Sequence, residues 1–139
     1  MAEPDTEEEV ASSKAPSVPR VRILIAEDDY LVGMELEAGL DEAGYEVVGI
    51  VTTAEEAVAA AGAQRPRLAI MDIRLASERD GVDAAIEIYA RFKIRSIFAS
   101  AHGDAEVRAR AEAACPLGWV AKPYRVETLI REVQRALGK

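Results

Sequence analysis

Short unbroken apolar runs alternate along the chain with stretches whose apolar positions recur at helical spacing. The first run, residues 21–26, stops abruptly at Glu27-Asp28-Asp29. Residues 31–43 follow, with Leu31, Met34, Leu36, Ala38 and Leu40 near a 3.6-residue period and Gly44 placed to cap them. Residues 45–51 read as a strand. Thr53 is a helix cap for residues 54–64, with Glu55 and Glu56 in the turn that favours carboxylates, and Pro66 breaks that helix.

The next apolar run, residues 67–71, ends in Asp72, and a loop covers residues 73–81. Residues 82–92 predict a helix with Val82, Ala85, Ile86 and Tyr89 on one face. Residues 94–100 predict a strand ending in Ser100. Asp104 opens a helix that runs to about residue 114, where Cys115-Pro116 closes it. Residues 117–121 predict a strand ending in Lys122-Pro123, and residues 126–137 a last helix with Val126, Leu129, Ile130, Val133 and Leu137 in register.

The pattern is (βα)5. Continuous apolar strands separated by helices mean an α/β fold whose parallel sheet is covered on both faces. Crossovers in such sheets are right-handed. Five strands suit a doubly wound sheet in the flavodoxin-like order 2-1-3-4-5, with its site beyond the carboxyl ends of the strands. Residues 1–20 differ. They open with Glu3, Asp5, Glu7, Glu8 and Glu9 and continue in Ala, Ser and Pro. Such a segment buries too little to offset its ordering entropy, so a disordered acidic tail is expected ahead of one domain, residues 21–139.

Composition narrows the function. A net charge of −8 over 139 residues argues against nucleic acid as a direct partner, but not against a cation. Cys115 is the single cysteine, so neither an internal disulfide nor a structural zinc site is expected. His102 is the single histidine, which excludes a catalytic His dyad. Without a signal-like run or a span-length apolar stretch, a cytoplasmic protein with no membrane partner is expected.

The strand ends carry the chemistry. Glu27 and Asp28 follow strand one, Asp72 ends strand three, Ser100 ends strand four, and Lys122 follows strand five. In a parallel sheet these ends share one edge, so three carboxylates, a hydroxyl and an ammonium converge. Singly, each is an ordinary turn or cap residue. Crowded carboxylates raise one another's pKa unless a hard divalent cation or an ammonium compensates. Mg²⁺ fits, because it accepts one or two carboxylates and takes phosphate oxygens as further ligands. An aspartate nucleophile forming an acyl phosphate is established chemistry, and it needs positive charge around the phosphoryl oxygens. Lys122 and the cation would supply that charge, and Ser100 a hydrogen bond.

Four segments carry a resemblance. They are Ile23-Leu24-Ile25-Ala26-Glu27-Asp28-Asp29, Leu68-Ala69-Ile70-Met71-Asp72, Phe98-Ala99-Ser100-Ala101 and Gly118-Trp119-Val120-Ala121-Lys122-Pro123-Tyr124. Together they resemble the receiver domain of two-component response regulators, the single-domain chemotaxis type in architecture. The resemblance implies a phosphoacceptor at Asp72 and a Mg²⁺ (or Mn²⁺) site. That site would use Asp28 directly, Glu27 through water, Asp72, and the backbone carbonyl of Arg74. It implies roles for Ser100 and Lys122, a proline at Pro123 whose preceding peptide is often cis, and a switch aromatic at Trp119. Asp29 lies one position too far and reads as a helix cap.

The loop after Asp72 departs from the family pattern, lacking the usual proline and running about one residue longer. Arg74 and His102 occupy the positions that flank the phosphoryl group. Arg74 is read as a shield for the acyl phosphate. His102 is read either as a proton shuttle or as an ordinary solvated loop residue.

The implied partners are a histidine kinase or phosphotransfer protein and a downstream protein. The downstream contact would use the face of helix four, strand five and helix five, with a homodimer as the variant. That face holds Arg108, Arg110, Arg125, Arg131 and Arg135 among Glu112, Glu127 and Glu132, which a solvated helix surface would also explain. The chain ends with the last helix. Output is therefore expected through a partner or as a phosphate relay, unless the sequence is one domain of a longer protein. A switch that catalyses only its own phosphorylation and dephosphorylation is expected rather than an enzyme.

The alternative is a pseudo-receiver, a binding scaffold that is never phosphorylated. A phosphatase of the dehalogenase type needs a second aspartate two positions after the nucleophile, where this chain has Arg74 or Tyr30. A flavin or nucleotide site needs a Gly- or Ser/Thr-rich loop after strand one, where Glu27-Asp28-Asp29 would repel an anion.

Overall fold

The computed structural model describes residues 19–101 and 105–138. The acidic tail expected over residues 1–20 falls almost wholly outside them, as do His102 and the Asp104 expected to open a helix. Five strands and five α-helices alternate in the order β1 Arg22–Ala26, α1 Tyr30–Glu42, β2 Glu46–Val51, α2 Ala54–Gln64, β3 Leu68–Asp72, α3 Gly81–Phe92, β4 Arg95–Ser100, α4 Ala105–Ala111, β5 Gly118–Ala121 and α5 Val126–Ala136. A 3-10 turn, Glu112–Ala114, extends α4, and Cys115 closes it in the left-handed conformation. All strand pairs are parallel, in the order β2-β1-β3-β4-β5. This is the doubly wound α/β architecture expected from the pattern.

Local chemistry sets the helix ends. The Asp29 carboxylate accepts from the amides of Leu31 and Val32, which makes it the N-cap of α1. Thr53 caps α2 through the amide of Glu56. Gly44, at φ +100, supplies the left-handed turn after α1 that a side chain would strain.

Two cores flank the sheet. One gathers α1 and α5 over Ile23, Ile25, Leu68, Ile70 and Ile97; the other gathers α2, α3 and α4 over Leu24, Ala69, Met71 and Phe98. The inward face of α1 differs from the expected stripe. Gly33, Leu36 and Leu40 are buried, while Leu31 and Met34 are 73% and 47% exposed. Residues 31, 34 and 38 form a second stripe one position round the helix. The buried stripe passes through Gly33, which reads as no apolar signal at all. On α3 the buried side is Val82, Ala84, Ala85 and Ile88, with Ile86 and Tyr89 only half-buried.

Candidate functional site

Topology brings the predicted residues together. Register aligns Ala26 with Met71 and Asp72 with Ala99, so the ends of β1, β3 and β4 form one rim. Glu27 is 3% and Asp72 4% exposed, while Asp28 is open to solvent. Carboxylate oxygens of Glu27, Asp28 and Asp72 lie within 4.8 Å of one another. Lys122 reaches in from beyond β5, its Nζ donating to Asp72 Oδ2 at 2.8 Å and standing 3.7 Å from Glu27 Oε1. The other Asp72 oxygen accepts from the Arg74 amide at 3.2 Å. A cleft of about 600 Å³ opens over this group, lined by Asp28, Asp72, Arg74, Ser100 and Lys122. The peptide before Pro123 is cis, as the resemblance implied.

The electrostatics are lopsided, with three carboxylates facing one ammonium. Burial, opposed by a hydrogen bond from the Asp29 amide and reinforced by the charge of Asp72, pushes the Glu27 carboxyl up to about 8. Burial also works against the charge on Lys122. The hydrogen bond to Asp72 and the fields of Asp72, Glu27 and Asp28 outweigh it, so the ammonium is held above its ordinary pKa. Tyr124 is raised too, first by burial and then by the charges of Glu27 and Asp72. Sequence reasoning did not single out Tyr124. Its buried hydroxyl has no hydrogen-bond partner among the described residues.

The longer loop after Asp72 is tightly held. Its Ala76 amide donates to Thr52 O at 2.8 Å, and Ser77 Oγ accepts from the Ala54 amide at 3.0 Å and donates to Arg79 O at 2.8 Å. The Gly81 amide then donates to Ile73 O at 2.7 Å. A Cβ on Gly81 would stand 1.9 Å from the Asp72 carbonyl oxygen, so only glycine lets α3 start against the end of β3.

Asp80 caps α3 in a reciprocal box with Asp83, and Arg110 of α4 bonds both, at 2.6 Å to Asp80 and 3.1 Å to Asp83. Burial alone would raise Asp80, but the hydrogen bonds from Arg110 and the Asp83 amide hold it below the usual carboxylate range. This bridge was not anticipated, although Arg110 was placed on the α4 face and the Asp80-x-x-Asp83 spacing is a capping-box signature.

Trp119 lies inward, stacked on Phe98 with centroids 4.8 Å apart, and the Arg108 guanidinium covers its outer side at 4.4 Å. Of the arginines expected on the α4–β5–α5 face, Arg108, Arg110 and Arg135 are therefore engaged within the protein, the last with Glu132 and Leu117 O. Arg125 and Arg131 are exposed without an ion pair among the described residues.

A five-stranded doubly wound sheet with a buried aspartate, an acidic pair and a lysine at its carboxyl edge defines a receiver-type domain. The sequence pattern of the response regulator receiver domain matches residues 23–134, and the chain belongs to that family. It is 37% identical over 123 residues to the transcriptional regulatory protein PdtaR of Mycobacterium tuberculosis, covering 88% of this chain and 59% of that protein. The chain thus spans about three-fifths of that relative. The chemotaxis protein CheY of Thermotoga maritima is 30% identical over 118 residues, covering 82% of this chain and 95% of that one. Among solved structures, the signal receiver domain of a modulated diguanylate cyclase from Desulfovibrio desulfuricans superposes with a TM-score of 0.77 at 35% identity, covering 86% of this chain and 94% of that chain. No helix among the described residues is long and apolar enough to cross a membrane.

Proposed function

We propose that this receiver domain is a phosphorylation switch whose phosphoacceptor is Asp72. The observation that carries the reading is the buried Asp72 carboxylate, held by Lys122 at 2.8 Å beside two further carboxylates at the floor of an open cleft. An Asp72 oxygen attacks the phosphorus of a phosphohistidine, the N–P bond breaks, and the imidazole leaves. Lys122 stays beside the acyl phosphate and offsets its charge, and the Ser100 hydroxyl donates to a phosphoryl oxygen. The domain acts as a switch that catalyses only its own phosphorylation and dephosphorylation, not as an enzyme with a separate substrate.

The acidic trio suits Mg²⁺ or Mn²⁺, because three carboxylate oxygens within 4.8 Å with one ammonium between them leave a surplus of negative charge that a hard cation relieves. Asp28 and Asp72 would hold it directly, Glu27 through water, and Arg74 through its carbonyl. Such a cation neutralises charge on the phosphoryl oxygens. The donor is a histidine kinase or phosphotransfer protein. Its contact is best accommodated by Tyr30, Leu31 and Met34, the exposed large apolar side chains that follow Asp28 and Asp29 on α1. Arg74, exposed at the cleft, shields the acyl phosphate from water. Output goes to a downstream protein through the α4–β5–α5 face, where Arg125 and Arg131 are available. Movement of α4 would have to break the Arg108 contact on Trp119, so the indole reports the switch.

The test is incubation with acetyl phosphate or beryllofluoride, with and without Mg²⁺, beside Asp72→Asn. A Mg²⁺-dependent mass adduct and a Trp119 fluorescence change, both lost in the variant, are expected. A folded protein silent under all conditions would instead favour the pseudo-receiver scaffold. An unchanged dephosphorylation rate in Arg74→Ala would remove the shielding role.

A further inference from the structure

We propose that the opposite, amino edge of the sheet is a binding site for an acidic peptide segment, and that its occupant is the chain's own acidic run at residues 3–9. The groove there has a volume of about 530 Å³ and is lined by Arg20, Arg22, Arg65, Arg67 and Lys93. Topology makes the cluster. Arg22 opens β1 and Arg67 directly precedes β3, while Arg65 and Lys93 are the C-caps of α2 and α3 in the left-handed conformation, at φ 48 and 61. Five cations from three separate segments thus face one concavity on a protein of net charge −8.

Part of this charge is accounted for within the fold. Arg20 pairs with Asp41 at 2.9 Å and also bonds Gly44 O, and Arg22 bonds Gln64 Oε1 at 2.9 Å with Glu46 at 3.9 Å. Arg65 and Lys93 stand at helix C-termini, where the dipole favours a cation, and they lie over the rings of Phe92 and Tyr89. Neither they nor Arg67 meets a carboxylate among the described residues, and no hydrogen bond or ion pair of the Arg67 side chain is found among them. A helix-end explanation covers two of the cations and leaves the convergence unexplained. Like charges sharing a concavity repel, and an anion seated among them gains from all of them at once.

The occupant follows from charge and tether. Glu3, Asp5, Glu7, Glu8 and Glu9 precede Pro19, and Arg20 is itself part of the lining. The eleven residue-to-residue steps from Glu9 to Arg20 reach up to about 36–40 Å when extended, enough to cross the groove. A short tether also sets an effective concentration of order millimolar, so weak ion pairs suffice for occupancy. A free polyanion would have to approach against the net negative charge of the whole chain, a penalty that the tethered segment does not meet.

The test uses the full chain carrying Ala2→Cys and Cys115→Ser, with a nitroxide on the introduced thiol and ¹⁵N-labelled amides. At about 10 mM ionic strength, where the Debye length is about 30 Å, Arg22, Arg65, Arg67 and Lys93 amides are expected to lose about half their intensity or more, as near-full tethered occupancy implies. Those of Asp72 and Trp119 should keep theirs. In about 1 M salt, where the screening length is about 3 Å, the loss should vanish. It should vanish as well in the E3Q/D5N/E7Q/E8Q/E9Q chain and in Arg65→Glu/Arg67→Glu. Relaxation spread evenly over the surface, or centred on α4 and α5, overturns the proposal. So does relaxation that appears only between spin-labelled unlabelled-nitrogen chains and diamagnetic ¹⁵N chains, which would seat the segment on a second copy.

Discussion

Two acidic clusters in this domain each face a single cation, and they behave in opposite ways. At the carboxyl rim, Glu27 and Asp72 are buried, Asp28 joins them, and Lys122 is the one ammonium among the three. Glu27 is driven up to about 8 because burial and a neighbouring charge both disfavour its ionised form. About 30 residues away in sequence from its partner Arg110, Asp80 caps α3, pairs with that guanidinium and is held low by it and by the Asp83 amide, with side chains 31% and 42% exposed. Both clusters set carboxylates against one basic side chain. The difference lies in solvent access and in the number of carboxylates per cation. Crowded carboxylates that burial keeps from ionising freely are a standing demand for positive charge, which a metal ion can supply. A half-exposed cluster of two carboxylates on one guanidinium only joins two elements.

The sharpest way to break this contrast is to neutralise one member of each cluster. Asp72→Asn is expected to abolish the acetyl-phosphate adduct completely, whereas Asp83→Asn should leave it intact, both read by intact mass after the same incubation. Loss of the adduct in both variants would mean that the two clusters are not functionally distinct. The next effect is on the metal. With Glu27 at about 8, Mg²⁺ must displace a proton below that pH, so its affinity should fall by up to about tenfold for each unit of pH below 8. Calorimetry at pH 7 in buffers of different ionisation enthalpy should detect the released proton, and Glu27→Gln should flatten the dependence. A pH-independent affinity between 6 and 8 would sink that account.

The rim was legible in the sequence because parallel topology fixes where strand ends go. Once the runs before Glu27, Asp72, Ser100 and Lys122 are strands, their ends share an edge whatever the helices do. Helix faces were less legible. Residues 31, 34 and 38 and residues 33, 36 and 40 repeat with the same period, and only packing decides that the stripe containing Gly33 turns inward. The side-chain bridges were not legible. Arg108 over Trp119 and Arg110 on Asp80 and Asp83 depend on long side chains spanning from α4 to other elements, and periodicity marks such positions only as polar.

Stability gives a smaller effect, with a definite sign. A carboxyl raised in the folded state binds its proton more tightly there, so its contribution is full below the unfolded value of about 4.5 and is lost as pH rises through about 8. In EDTA the melting midpoint should therefore fall between pH 5 and 8. Saturating Mg²⁺ should recover it at pH 8 by binding the folded state alone. Glu27→Gln should remove the slope and raise the pH 8 midpoint in EDTA. A wild-type midpoint that climbs over this range in EDTA would contradict the burial argument.

The smallest effect should come from the half-exposed cluster. Arg110 is 42% exposed, and its two ion pairs are screened by water, so Arg110→Ala should cost less than about 1 kcal/mol. Asp80→Ala removes the same pair and also the cap on the Asp83 amide, a loss of about 1 kcal/mol in itself. The two losses can be separated by a double-mutant cycle in urea, because the cap survives in Arg110→Ala while the bridge is absent from both. If the coupling between Asp80 and Arg110 exceeds about 2 kcal/mol, the bridge is stronger than an exposed pair should be. The contrast between a reactive and a structural cluster would then rest on charge surplus alone and not on burial. A coupling near zero would leave α4 attached to the phosphoacceptor loop mainly by its apolar face, and free to move when Asp72 is phosphorylated.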